Sequence, residues 1–438
     1  MLSRIDLPAG NKKVTMSAAK LVFVSGKDPL SETRGGHASY VRAYARAACA
    51  AGYKPDIFCI STRNETIEAP YGSIRRVMSP FTLHQAREKT STRSRNAGWH
   101  VPLLNRALRR HLSGCNDPVI IHGFSVWGAT AVDTAGFCRQ EGRQVRSIVN
   151  SYTVYREEYR SKLEGAVRSY GRFHAFLRTL ECRYGDLVIS PIERRAYTRP
   201  DLLLVNYKSV QRFVEQHLGP VPQLRLFPYA SELAFLPDTP GDSNPDIHLP
   251  AGAGPLIVSV SRHDPRKGID ILINALCMLR QRGVAFRACI LSGGELLAAN
   301  RQLALKGGLD PSLVMLPGYV PDIQPYLRAA DIFCLPSYEE HSGSVSLLEA
   351  MQYGRAIVAS GVDGIPEDVD HERHALLVPP RDPVALAAGL QQLLTNPPLL
   401  ARLGQAARER YAERFSAGIV TRGLGTLYDS LAREMARP

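Results

Sequence analysis

Long hydrophobic runs are missing from this 438-residue chain. No stretch approaches the roughly eighteen consecutive apolar residues that a membrane-spanning helix needs. The opening MLSRIDLPAGNKKVTMS is polar, without the apolar segment of a secretion signal, so neither a spanning helix nor a cleaved leader is expected. Paired cysteines are missing as well. The eight cysteines, at 49, 59, 115, 138, 182, 277, 289 and 334, are scattered with no CxxC pair. That spacing argues against a structural zinc and a disulfide framework, and it fits a reducing cytoplasm. No internal repeat shows at a period of roughly 20 to 50 residues. No strand is followed by GxGxxG with an acid about twenty residues on, which disfavours a dehydrogenase. Aromatic residues make up only 8%, and with no aromatic-rich RNA or DNA module, nucleic acid is not an expected partner.

What is present is enough apolar sequence to build cores: 45% hydrophobic against 22% charged residues. The length favours two domains over one. Five prolines and three glycines between Pro237 and Pro255 mark a linker. Charge divides at the same place. Residues up to 245 hold 35 basic and 21 acidic side chains, a net +14, and the rest hold 19 and 20, a net −1. The first half is therefore expected to face an anionic partner.

On both sides of the linker, short apolar runs bounded by turn residues alternate with helical patterns. KLVFVSG, PDIFCIS, PVIIHG, VRSIVNSY, LLLVNY and LRLFPY precede it; LIVSVS, ACILSGG, LVMLPG, IFCLPS, AIVAS and ALLVP follow. Such runs read as buried strands of parallel sheets. After Gly35 and Gly36, Val41, Tyr44, Ala45, Ala48 and Cys49 fall at helical spacing. The fold class expected is α/β, two doubly wound Rossmann-like domains facing a central cleft. The expected divisions are 1–245 (with 1–17 flexible), 246–415, and 416–438 as a helix packing back on the first domain.

Two segments of the second half carry chemistry. SRHDPRKGIDILINAL places Arg262 and Lys267 between a strand and a helix, where two cations near a helix N-terminus suit a diphosphate. PSYEEHSGSVSLLEAMQYG puts a polar loop directly before a helix that contains Glu349, so the amides of Ser342, Gly343, Ser344 and Val345 suit an anion or sugar hydroxyls. Asp368 and Asp370 in EDVDHE have the spacing of a metal pair but read as a solvated turn. From His84 to Cys115, seven Lys/Arg (87, 89, 93, 95, 106, 109, 110) stand against Glu88 alone, with Trp99, Val101, Leu103 and Leu104 interleaved. This composition suits an anionic bilayer surface or a solvated basic face.

In their order and spacing, these segments, together with GGHASYVRAYARAACAAGY, IERRAYTRPDLLLVNYKSVQRFV, FPYASELAFLPD, LPGYVPDI, RAADIFCLPS, VDGIPEDV and ALLVPPRDPVALA, resemble the family-four glycosyltransferases, retaining enzymes of the GT-B fold. The resemblance implies transfer of a sugar from a nucleotide sugar, UDP- or GDP-linked, to a hydroxyl of a glycan acceptor. It implies that Arg262 and Lys267 bind the donor diphosphate and Glu349 the ribose, with backbone near Tyr319 and Val320 at the base. It places His122 beside the donor sugar, and Gly35 and Gly36 where the backbone approaches donor and acceptor. The family has two glutamates separated by seven residues. Here His341 stands eight positions before Glu349, with Glu339 and Glu340 just upstream, so either Glu340 or His341 would meet the donor sugar. No cofactor or metal is implied, and no carboxylate in these motifs is placed as a nucleophile. A lipid-linked acceptor in cell-surface polysaccharide synthesis, at the inner face of the cell membrane, is the favoured setting. A soluble small-molecule or protein acceptor and a non-catalytic sugar-nucleotide or glycan-binding role stay open.

Overall fold

The computed structural model describes residues 19–30, 36–80, 96–160, 163, 171–236 and 248–437. The basic residues at 87, 89, 93 and 95, Gly35, and most of the linker lie outside them. The first domain runs β1 (Lys20–Val24), α1 (Gly36–Ala50), β2 (Asp56–Ser61), β3 (Glu65–Ala69), β4 (Gly72–Met78), α2 (Ala97–Leu112), β5 (Val119–Phe124), α3 (Gly128–Gln140) and β6 (Val145–Ser151). It continues through α4 (Gly171–Tyr184), a π-helical turn (Gly185–Ile189), α5 (Ser190–Thr198), β7 (Leu202–Val205), α6 (Lys208–Leu218) and β8 (Leu224–Leu226). The strands form one sheet in the order β3-β4-β2-β1-β5-β6-β7-β8, parallel except where β3 runs antiparallel to β4.

The second domain runs β9 (Leu256–Val260), α7 (Ile269–Gln281), β10 (Arg287–Leu291), α8 (Leu297–Lys306), β11 (Val314–Gly318), α9 (Gln324–Ala329) and β12 (Ile332–Leu335). Then come α10 (Val345–Gln352), β13 (Ala356–Ser360), α11 (Ile365–Asp368), β14 (Leu376–Val378), α12 (Pro383–Leu394), α13 (Pro397–Arg414) and α14 (Ala417–Met435). Its sheet, β11-β10-β9-β12-β13-β14, is parallel throughout. All twelve apolar runs of the sequence are strands, so both domains are doubly wound as expected.

The hairpin β3–β4 is an addition. Its polar, charge-bearing strands lack a continuous apolar run: Ile74 is its one fully buried strand side chain, and ion pairs line the rest, with Arg76 meeting Glu65 at 2.5 Å and Arg75 meeting Asp56 at 2.8 Å. The central strands are buried on both faces. In β9, Leu256 and Val258 enter a core continuous with the first domain, while Ile257 enters a separate core under α7 and α12. In α2, Val101 and Leu104 also turn inward; Trp99 is the exposed apolar residue of that segment. The helix α14 lies against α1 and β5, where Tyr53 donates to Asp429 Oδ1 at 2.6 Å. Among the described residues no helix is long and apolar enough to cross a membrane.

Candidate active site

In the second sheet, β9 and β12 are neighbours although β10 and β11 intervene in the chain. At such a reversal the loops leaving the two strands diverge and open a crevice beyond their carboxyl ends. One loop, 261–268, carries Arg262 and Lys267; the other, 336–344, carries Glu340, His341, Ser342 and Gly343. They touch at Gly268, which has φ +61°, and where a Cβ would stand 2.0 Å from the Pro336 carbonyl oxygen, so glycine alone fits. Across this contact Lys267 Nζ donates to Glu340 Oε1 at 2.6 Å, and Ser337 Oγ donates to the same oxygen at 2.5 Å. The Glu340 side chain is only 5% exposed. Arg262 stands at the rim, 61% exposed, with Asp264 at 2.9 Å.

The second loop is held in shape by Asp363, whose Oδ2 accepts the amides of Glu340 and His341, each at 2.7 Å. His341 adopts φ +57°. Its Nδ1 lies 3.2 Å from Thr153 Oγ1 of the first domain, its Nε2 lies 3.4 Å from Glu339, and its carbonyl accepts from Ser209 Oγ at 3.2 Å. The histidine therefore bridges the two domains. Ser342, Gly343 and Ser344 lead directly into α10, which begins at Val345. A Cβ on Gly343 would stand 2.2 Å from Tyr207 Oη, so backbone from one domain packs on a side chain of the other. Glu349, on the buried face of α10, accepts Ser231 Oγ at 2.5 Å, and burial pushes its carboxyl up to about 7. Tyr319, 56% exposed, and half-buried Val320 follow β11, the edge strand of the same sheet.

His122, expected beside the donor sugar, is placed in the interior: it is fully buried, with Nδ1 2.8 Å from Tyr428 Oη of α14 and Nε2 bonded to Asn150. Burial lowers its pKa to about 4, so it is a neutral tie between β5, β6 and α14. The strand is buried on both faces, so its sequence cannot tell which way the imidazole points. The structure brings together Lys267 with Glu340, and His341 with Thr153. It leaves Arg262 on the rim and Glu349 at the seam with Ser231. Gly36 is the first residue of α1.

The seam between the domains was not legible as a unit. Tyr207 Oη donates to Asp368 Oδ2 at 2.7 Å, and the amides of Lys208 and Ser209 donate to the Glu367 carboxylate at 2.8 Å each. A carboxylate from the second domain thus satisfies the N-terminus of α6 in the first. Asp368 is buried rather than in a solvated turn; desolvation raises it to about 8, and its Oδ1 has no hydrogen-bond partner. Both acids stand in the VDGIPEDV segment, which was the available signal. Among the described residues no group of three His, Cys, Asp or Glu side chains is placed to hold a metal ion.

Comparison with known proteins places this architecture. Residues 254–396 match the family model Glycosyl transferases group 1. The chain is 35% identical over 183 residues to the amylovoran biosynthesis glycosyltransferase AmsK of Erwinia amylovora, covering 40% of this chain and 45% of that protein. It is 36% identical over 192 residues to the putative colanic acid biosynthesis glycosyltransferase WcaL of Escherichia coli K12, covering 41% and 47%. The chain thus spans about half the length of these curated relatives. Among solved structures, sucrose-phosphate synthase from Thermosynechococcus elongatus superposes with a TM-score of 0.72 at 23% identity, covering 95% of this chain and all of that one. HepE of Anabaena, solved with UDP-glucose, superposes with a TM-score of 0.63 at 15% identity over 94% of this chain and 100% of that one. The fold is the GT-B arrangement.

Proposed function

We propose that this chain is a retaining, metal-independent glycosyltransferase that moves a sugar from a nucleotide-sugar donor to a hydroxyl of a glycan acceptor in cell-surface polysaccharide synthesis. The observation that carries the reading is the Lys267–Glu340 pair at the β9/β12 reversal, inside the segment that matches the family model. A lysine held by a buried carboxylate is a charge kept in position without a ligand. A donor diphosphate entering the crevice takes over the Lys267 ammonium and recruits Arg262 from the rim. Glu340, released, then accepts a hydroxyl of the donor sugar.

With no carboxylate nucleophile assigned, the acceptor hydroxyl attacks from the face that the diphosphate leaves. The bond between the anomeric carbon and the phosphate oxygen breaks, the glycosidic bond forms, and the hydroxyl proton passes to the departing phosphate. Arg262 and Lys267 stabilise the charge that develops there, which is catalysis by position and preorganised charge. The names of relatives in amylovoran and colanic acid biosynthesis support a polysaccharide as product, and the acceptor proposed with it is a lipid-linked saccharide.

Ligand binding stabilises the folded state by mass action, so a panel of UDP- and GDP-sugars read by thermal shift identifies the donor. One member should raise Tm, and transfer from it should persist in excess chelator. A panel with no shift and no product removes the transferase reading. Activity lost to chelator and restored by Mg²⁺ or Mn²⁺ removes metal independence.

A further inference from the structure

At the seam, one side chain of the first domain stands inside the second. Tyr207 lies between β7 and α6, buried, with its backbone extended at φ −137°. Two consecutive acids of α11 pin it. Glu367 accepts the amides of Lys208 and Ser209, the next two residues, and Asp368 Oδ2 accepts the Tyr207 hydroxyl. Tyr229, also buried, braces the ring edge-on at 5.8 Å between centroids, with its own hydroxyl 3.1 Å from Tyr207 Oη. The tyrosine cannot swing away without breaking these contacts.

What Tyr207 packs against is the backbone of the loop that leads into α10. A Cβ on Gly343 would stand 2.2 Å from Tyr207 Oη and 2.7 Å from Asp368 Oδ2. One on Gly364 would stand 2.9 Å from Tyr207 Cδ1 and 2.7 Å from the Gly343 nitrogen. Two glycines of the second domain thus make room for a wedge from the first. The same loop is held from both domains. Asp363 fixes Glu340 and His341 from within the second, and at His341 and Gly343 the first adds Thr153, Ser209 and Tyr207.

We infer that Tyr207 is a positioning residue for donor binding: wedged behind Gly343, it sets the path of residues 342–345 and so the aim of the amides that suit the donor's phosphate or sugar oxygens. It acts through the loop and without touching the donor. The inference rests on the transferase reading proposed above. It adds that donor affinity is set in part by the first domain, outside the segment that matches the family model. Without the wedge the ligand itself must order the loop, which lowers its affinity.

UDP and GDP are titrated calorimetrically against the full chain, and wild type should bind one of them. Tyr207→Ala should bind it about tenfold more weakly, the loss of roughly one hydrogen bond to a charged group. Tyr207→Phe keeps the ring and should bind within about threefold of wild type. Gly343→Ala should weaken binding in the wild type and add little to Tyr207→Ala, because the methyl then enters emptied space, and substitutions at one contact are not additive. Glu367→Gln loosens the same seam at α6 without reaching Gly343, so it should lower the urea midpoint and leave nucleotide affinity unchanged. Tyr207→Leu takes the place of Tyr207→Ala if that variant does not fold. Three results overturn the role and leave the transferase reading standing: Tyr207→Ala binding as tightly as wild type, additive effects with Gly343→Ala, or Glu367→Gln weakening binding as much as Tyr207→Ala. A wild type that binds neither nucleotide removes that reading and this role with it.

Discussion

The two domains share a winding pattern and differ in nearly everything that meets the outside. The second is close to electrically neutral, its sheet is parallel from edge to edge, and its crevice loops lock to one another through Lys267, Glu340 and Asp363. The first has all of the excess positive charge and an antiparallel edge hairpin. On the proposed reading, a diphosphate site in the second domain needs few residues in fixed places, and a surface for an extended acceptor in the first needs area and charge spread over several elements. The family-model match falls wholly in the second domain.

The comparison breaks most readily at the crevice. Arg262→Ala should cost roughly 3 to 4 kcal/mol of transition-state stabilisation, a loss of several hundredfold in kcat, with Tm unchanged because the side chain is mostly solvated. Lys267→Ala should lose as much turnover and also fold less stably, since Glu340 is left buried without its cation, a change of about 3 to 5 kcal/mol. Adding Glu340→Gln should restore the stability and not the turnover. Single-turnover kinetics and urea titrations separate the two, and near-normal transfer by Arg262→Ala/Lys267→Ala ends the assignment.

A smaller effect tests whether the first domain depends on its returning helix. Tyr428→Phe removes the hydroxyl that meets His122 and should cost about 1 to 3 kcal/mol for the buried nitrogen left unsatisfied. A variant as stable as wild type in urea would show that this tie is idle.

The seam gives a pH signature. Asp368 is raised from 3.8 to about 8 in the folded protein. The stability that its protonated form contributes is therefore fully present below about 3.8 and is lost progressively as pH rises toward 8. Asp368→Asn should flatten that part of the stability profile, making the variant gain on wild type as pH rises from 5 to 9. Parallel profiles would mean the carboxyl is ionised in the seam.

The smallest change is at the edge hairpin. Arg76→Ala breaks contacts to Glu65 and Asp28, and as a partly exposed pair should cost about 1 kcal/mol or less. A loss near that of Tyr428→Phe would make the hairpin a structural member rather than a trimmed edge.

These contrasts also explain what could be read in advance. Strands buried on both faces advertise themselves as apolar runs, and all twelve were legible. The β3–β4 hairpin was not, because in GSIRRVM one buried isoleucine stands among charged residues held by ion pairs, with no apolar run to read. Lys267 was legible as a candidate because loops after parallel strands have a known place in a doubly wound sheet, and Glu340 because the resemblance points to it or to His341. His122 was placed by the resemblance, which finds the strand but not the direction of a side chain in a strand buried on both sides; here the imidazole turns into the interior. Asp368 was misjudged because a local acidic spacing says nothing of Tyr207, 161 residues away in the chain.

The path of α14 has a consequence for recombination. The first domain is assembled from two separate stretches of chain, the N-terminal part and Ala417–Met435, with the second domain inserted between them. A chimera that exchanges the second domain by joining two parents at the linker alone inherits a foreign α14. Such a hybrid presents a non-native helix to His122 and Tyr53. Exchange of the second domain as a unit therefore requires a second junction, after Arg414 and before Ala417.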